Sequence, residues 1–186
     1  MKTTEFILSD LYRYSGKTTC MSLLKYYFKS RSFKYMFWFR LCQSNFYVVR
    51  MYAKLMHFWL SRKYSIQIPI SANIGYGLYI GHGTSLILSS SVKIGNNCNL
   101  SQFTTIGSNI GSNIGNAATI GDCVYVGPNV CIVENVSIGS GAVVGAGSVV
   151  TKNILENEVF AGCPAKKIGL KSEKHDKFIH NKYLWR

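Results

Sequence analysis

The chain has 186 residues, with 21 Lys and Arg against 8 Asp and Glu, for a formal net charge of +13. That length supports one core with an appendage and removes any need for disulfide or metal staples, while the charge asks for an acidic partner, a polyanionic substrate or an anionic surface. Nucleic acid is a poor fit, because the cations come with aliphatic and aromatic runs and no recognisable nucleic-acid module.

The chain opens MKTTEFILSD, where Glu5 and Asp10 interrupt the apolar run a signal peptide would need. No later segment approaches the length of uncharged apolar sequence that spans a bilayer, so a cytoplasmic chain is expected. Residues 1–66 hold twelve cations, two acids and 17 of the 25 aromatics. DLYRY (10–14), LLKYYFK (23–29), FKYMFWFR (33–40) and VVRMYAKLMHFWL (48–60) mix aromatics and cations at amphipathic-helix spacing. Such helices suit a cap over the end of a core, with the aromatics inside and a part in oligomerisation. They equally suit a surface that docks on the inner leaflet of a membrane. The six cysteines form no CxxC pair, and no histidine stands at metal-ligand spacing, which reads as a reduced chain without a bound metal.

From residue 67 the composition changes: residues 67–150 carry only Lys93, Asp122 and Glu134 as charges. An aliphatic residue, usually followed by Gly, recurs at Ile74, Ile80, Leu88, Ile94, Leu100, Ile106, Ile114, Ile120, Val126, Ile132, Ile138, Val144 and Val150. Most steps are six residues, and a small or apolar residue stands two places before most markers, as at Ala72, Val92, Cys98 and Val124. Period two over so short a span is a strand with one buried face, and the following glycine allows a corner. Three hexads close a coil of 18 residues, and stacked coils bury the aliphatic columns that no single hexad could.

Register breaks twice, at 80–88 and at 106–114, each with two extra residues. The first break holds His82 between Gly81 and Gly83. Counted modulo three, the two breaks fall at different corners, and Gly127 and Gly145 fall at the corner of the second break. On this count His82 and the glycines point apart within one copy, so a shared site needs a neighbouring copy's edge, as in a trimer with three clefts. An imidazole titrates near neutrality and suits a general base. His57 lies among the aromatics, and His175 and His180 lie in a charged tail where solvation is the default.

The hexads, with the closing VVGAGSVVTK (143–152) and AGCPAKKIG (161–169), resemble the hexapeptide-repeat acyltransferases. The resemblance implies a mainly β fold: a left-handed parallel β-helix over 67–169, preceded by a helical region at 1–66 and followed by a short tail at 170–186. The left hand comes from the resemblance, since the general crossover rule favours the other. It also implies acetyl-CoA as co-substrate, a homotrimer or a multiple of trimers, and His82 as the base that deprotonates an acceptor hydroxyl. The oxyanion donor is Gly83 or a glycine of the facing subunit. By matched motif, Gly127, Gly145 and Ala146 face the pantetheine arm, Thr151 and Lys152 face the adenosine-phosphate end, and Lys166 faces the 3′-phosphate. Coenzyme A is a polyanion, and Lys152, Lys166 and Lys167 are almost the only cations near the end of the coil.

The nearest branch contains serine acetyltransferases and O-acetyltransferases of surface polysaccharides. DLYRYSGK and FWFRLC look like the N-termini of the polysaccharide enzymes. The serine enzymes place an Asp fifteen residues before the catalytic His, where this chain has Gln67, and a second His where this chain reads IGNAATIG (114–121). A sugar hydroxyl of a bacterial surface polysaccharide or its precursor is therefore the expected acceptor, with L-serine as the alternative and a non-catalytic solenoid scaffold as the second alternative.

Overall fold

The computed structural model describes residues 3–107 and 117–184. Four helices come first: α1 (Thr3–Ser15), α2 (Cys20–Lys29), α3 (Arg31–Leu41) and α4 (Tyr47–Tyr64). Side-chain caps fix two of their starts, Thr19 Oγ1 accepting from Ser22 N at 3.3 Å and Ser30 Oγ accepting from Phe33 N at 3.2 Å.

Thirteen very short strands follow: β1 (Ile66–Gln67), β2 (Asn73–Ile74), β3 (Tyr79–Ile80), β4 (Leu86–Leu88), β5 (Lys93–Ile94), β6 (Asn99–Leu100), β7 (Thr105–Ile106), β8 (Thr119–Ile120), β9 (Tyr125–Val126), β10 (Cys131–Ile132), β11 (Ser137–Ile138), β12 (Val143–Val144) and β13 (Val149–Val150). The longer β14 (Glu158–Ala161) and β15 (Lys166–Leu170) then close the coil, and a single turn, α5 (Glu173–Asp176), begins the tail.

The strands stack in parallel into three sheets: β1-β4-β7-β10-β13, then β2-β5-β8-β11, then β3-β6-β9-β12-β14, with β15 antiparallel on the last. This is the left-handed β-helix, and its core is the set of inward aliphatic columns. Ile80, Leu100, Val126 and Val144 stack on one face and Ile74, Ile94, Ile120 and Ile138 on another, each 5% exposed or less. Every such side chain taken from water contributes about 1.5–3 kcal/mol.

The register corrects the count of hexads. Thr119–Ile120 pairs with Lys93–Ile94, so Ile120 is the next marker after Ile106, and the second break is a single interval of 14 residues from Ile106 to Ile120. The Ile-Gly at 114–115 lies outside the described residues, as does the loop at 108–113. The consequence is that Val126 and Val144 share the sheet of Ile80. Gly127 and Gly145 thus lie on the same edge of the coil as His82, not on the edge where the second break begins after β7.

The helices sit over the first coil through a buried ionic network. Asp10 of α1 accepts from Arg40 Nε at 2.8 Å and from Leu78 N at 2.9 Å; Arg40 of α3 also donates to Ile74 O at 2.8 Å and to Gly75 O at 2.6 Å. Arg13 donates to Gly77 O at 2.7 Å and to Asn99 Oδ1. Charges this deep persist only when paired and fully hydrogen-bonded. Tyr35, Met36 and Phe39 of α3 and Leu60 of α4 join the solenoid core. His57 is a core histidine, its Nε2 2.8 Å from Tyr35 Oη.

Candidate active site

His82 follows β3 at the point where the coil turns a corner. Gly83 N donates to Gly81 O at 2.8 Å across it, and His82 itself has φ 60, which makes a γ-turn with a β-substituted residue at its centre. Among the described residues, asparagines fill half of the ten positive-φ positions that glycine does not hold, and their short amides tolerate the left-handed region. An imidazole there is strained, and strain of this kind gathers at functional sites.

Gly83, at φ +60, is held as firmly from outside. A Cβ built on it would lie 2.7 Å from both Ser32 N and Ser32 Oγ, at the start of α3. The two-residue break therefore turns His82 outward while seating Gly83 against the helical cap. Because Gly83 N–H is spent inside the turn, it cannot also serve as the oxyanion donor.

Two cavities, of about 400 and 370 Å³, flank the imidazole, and both are lined by Tyr79, His82 and His180. The first adds Tyr14, Tyr26, Lys29 and Arg31; the second adds Asn99, Ser101, Gln102 and Tyr125. Gln67 stands elsewhere, lining clefts with Ser61 and Arg62 and neither of the His82 cavities.

Sequence reasoning left His180 in a solvated tail. Instead the tail lies along the third sheet: Phe178 stacks on Tyr125 at 4.7 Å, Ile179 is 5% exposed, and Asn97 and Tyr183 exchange two hydrogen bonds of 3.0 and 2.8 Å. His180 meets Tyr79 edge-on at 5.2 Å, and partial burial together with nearby Arg13 lowers its pKa. Asn99 helps hold the tail there: it is 4% exposed because it bonds Arg13 and the backbone of Phe178.

The remaining predicted residues fall into two groups. Gly81, Ser101, Gly127 and Gly145 succeed one another along the His82 edge, linked rung to rung by N–H···O bonds of 2.8 to 3.0 Å. Gly127 must be glycine for packing alone, because a Cβ there would lie 2.8 Å from Ala146 N. Ala146 is exposed beside it, and Lys166 pairs with Ala161 at the top of the same edge. Four strand spacings separate β3 from β14, about 19 Å at ~4.8 Å each. Thr151 and Lys152 follow β13 on the first sheet, at another edge, and both are exposed. Lys167 is held by Glu158 at 2.6 Å, which draws that carboxyl below its usual range and leaves Lys166 as the unpaired cation of the two among the described residues. No group of three His, Cys, Asp or Glu side chains among the described residues could hold a metal ion.

Residues 117–152 match the family "Bacterial transferase hexapeptide (six repeats)". Most of the chain superposes on solved serine acetyltransferases. That of Neisseria gonorrhoeae in complex with serine is 25% identical, with a TM-score of 0.72 over 90% of this chain and 69% of that one. Residues 117–152 thus carry the transferase hexapeptide repeat, and the chain has the fold of these enzymes. Soybean serine acetyltransferase is 26% identical, with a TM-score of 0.68 over 87% of this chain and 67% of the soybean chain. The Brucella abortus enzyme in complex with coenzyme A shares the fold at 21% identity and a TM-score of 0.71, over 91% of this chain and 68% of that one. No curated protein matches this chain by sequence.

Proposed function

We propose that the protein is an acetyl-CoA-dependent O-acetyltransferase in which His82 is the general base. The observation that carries this is the strained turn that holds His82 at the mouth of two cavities, on the edge that also bears Gly127, Gly145, Ala146 and Lys166. Acetyl-CoA lies along that edge, its pantetheine arm beside the small residues and its phosphates toward Lys166. Thr151 and Lys152 stand on another edge, so one coenzyme reaches both groups only where the edges of two copies meet. A homotrimer provides that meeting.

The acceptor hydroxyl gives its proton to His82 as its oxygen attacks the thioester carbonyl. The tetrahedral oxyanion collapses, the C–S bond breaks, and the thiolate of coenzyme A recovers the proton from the imidazolium. Ala146 N–H, which donates to no backbone carbonyl among the described residues, stands on the same edge and takes the oxyanion or a pantetheine carbonyl.

L-Serine is the acceptor favoured by the relatives, since the structures of at least 25% identity are serine acetyltransferases, one with serine bound. That places serine ahead of the surface-polysaccharide hydroxyl expected from the sequence. The sugar reading stands second on one feature: among the described residues neither cavity beside His82 is lined by an Asp or Glu that could hold an amino acid's ammonium; tyrosines line both, with Lys29 and Arg31 in the first and Asn99 and Gln102 in the second.

Thiol release from acetyl-CoA, measured with L-serine and with a panel of neutral sugars, separates the two. Turnover with serine and not with sugars establishes the first; the reverse establishes the second. His82→Ala lowers kcat by about 10²–10⁴-fold with coenzyme A affinity unchanged if the imidazole is the base. Full activity in that variant removes the mechanism.

A further inference from the structure

The exposed large hydrophobic side chains are not scattered. On α4, Val48, Met51, Leu55, Phe58 and Trp59 are 48–78% exposed and follow i, i+3 and i+4 spacing, so they form one continuous apolar row. The opposite row of the same helix, Ala53, His57 and Leu60, is the one buried on the protein. On α2, Met21, Leu24 and Phe28 are 56–76% exposed. Trp38 of α3 joins the two helices, donating to Tyr27 Oη at 3.1 Å and meeting the Tyr52 ring at 5.4 Å. Tyr27 of α2 and Tyr52 of α4 thus meet the same indole.

Cations border this surface and lie over its rings: Arg62 is 3.4 Å from the Phe58 centroid and Lys63 is 4.6 Å from that of Trp59. No Asp or Glu occurs anywhere between Asp10 and Asp122. Cationic heads resting on exposed aromatic rings, with no carboxylate partner among the described residues, bring charge and apolar surface together as at an apolar–aqueous boundary.

We propose that the α2–α4 face docks on an anionic lipid surface, its apolar rows entering the headgroup boundary and Lys54, Arg62 and Lys63 meeting lipid phosphates. Charge selects this occupant over the same face of a second copy. Self-association through the same face would bring Lys54, Arg62 and Lys63 against their own kind with no carboxylate from either helix to offset them. Among the described residues no helix is long and apolar enough to cross a membrane, so the contact is peripheral.

The test is co-sedimentation of the full chain with vesicles of phosphatidylcholine alone or mixed with phosphatidylglycerol. Binding to the mixed vesicles only, weakened at least ~10-fold by raising salt, is the expected result. Leu55→Ser/Trp59→Ser, shown folded by an unchanged far-ultraviolet spectrum and melt, should reduce binding by a similar factor. Brominated lipid should quench the wild-type tryptophan emission, and Trp59→Phe should lose that quenching. Three results overturn the proposal: equal binding by wild type and double variant, no binding to mixed vesicles, or an assembly in sedimentation velocity that the double variant dissociates. The last would assign the face to a second copy. None of these readouts depends on the acceptor or on His82.

Discussion

Replacing Gly83 by Ala tests whether the turn around His82 is built as described. The substitution carries two costs. An L-residue in the left-handed region loses about 1 kcal/mol or more, and the new methyl, 2.7 Å from Ser32 N, overpacks a rigid helix start at a further cost of about 2 kcal/mol. Two other glycines separate these terms. Gly147 has φ +69 with nothing within 4 Å of a built Cβ, so Gly147→Ala loses the conformational part alone. Gly169 has neither a positive φ nor a close neighbour, and Gly169→Ala should be neutral or slightly stabilising. Melting temperature by differential scanning calorimetry should fall in that order, with Gly83→Ala down by about 9 °C at ~3 °C per kcal/mol. The same variant should lose turnover, because α3 can retreat only by shifting the segment that carries His82. A Gly83→Ala protein no less stable than Gly147→Ala would show that α3 does not press on the turn, and the account of the register break would fail.

Other consequences can be checked alongside. Asp10→Asn leaves Arg40 buried without its carboxylate and should cost about 3–5 kcal/mol in urea denaturation, part of which Asp10→Asn/Arg40→Met restores. An acceptor that reaches His82 through either cavity passes His180, which lines both, so His180→Ala should raise the acceptor KM about fivefold, the worth of one ~1 kcal/mol hydrogen bond, while the KM for acetyl-CoA holds. A parallel rise in both would remove His180 from the acceptor side. Burial lowers the pKa of His57, and burial with Arg13 lowers that of His180, so the folded chain binds fewer protons than the unfolded one at these sites. Stability from them is complete above the unfolded imidazole value of about 6.5 and is lost as pH falls through the lower folded values. The melting temperature should drop across that range, and His57→Phe should flatten the drop.

The repeat was legible because burial writes a period into the chain: every marker from Ile74 to Ile106 and from Ile120 to Val150 sits in an inward column. Its phase was not legible across the second break, because Ile114-Gly115 copies the marker pattern and only the ladder pairing of Thr119–Ile120 counts the coils. The misplaced count moved Gly127 and Gly145 to the wrong edge. Asp10, Arg13 and Arg40 lie in the quoted stretches DLYRYSGK and FWFRLC, yet one sequence cannot say that these charges meet in the interior. Of the two helical readings, α3 fits the cap, with buried aromatics against the coil, while the outward apolar row of α4 is the ground of the docking proposal and not a test of it. The place of His180 was out of reach, because a contact between residues about a hundred positions apart, such as Tyr79 with His180, leaves no periodic trace.

Stacking His82, Gly127, Gly145 and Lys166 on one edge turns the solenoid into a ruler. The interval between His82 and Lys166 comes only in whole rungs, so adding or removing one 18-residue coil moves Lys166 by about 4.8 Å and by nothing in between. Under the proposed mechanism, a thioester of fixed length would then set how many coils must lie between the histidine and the closing hairpin.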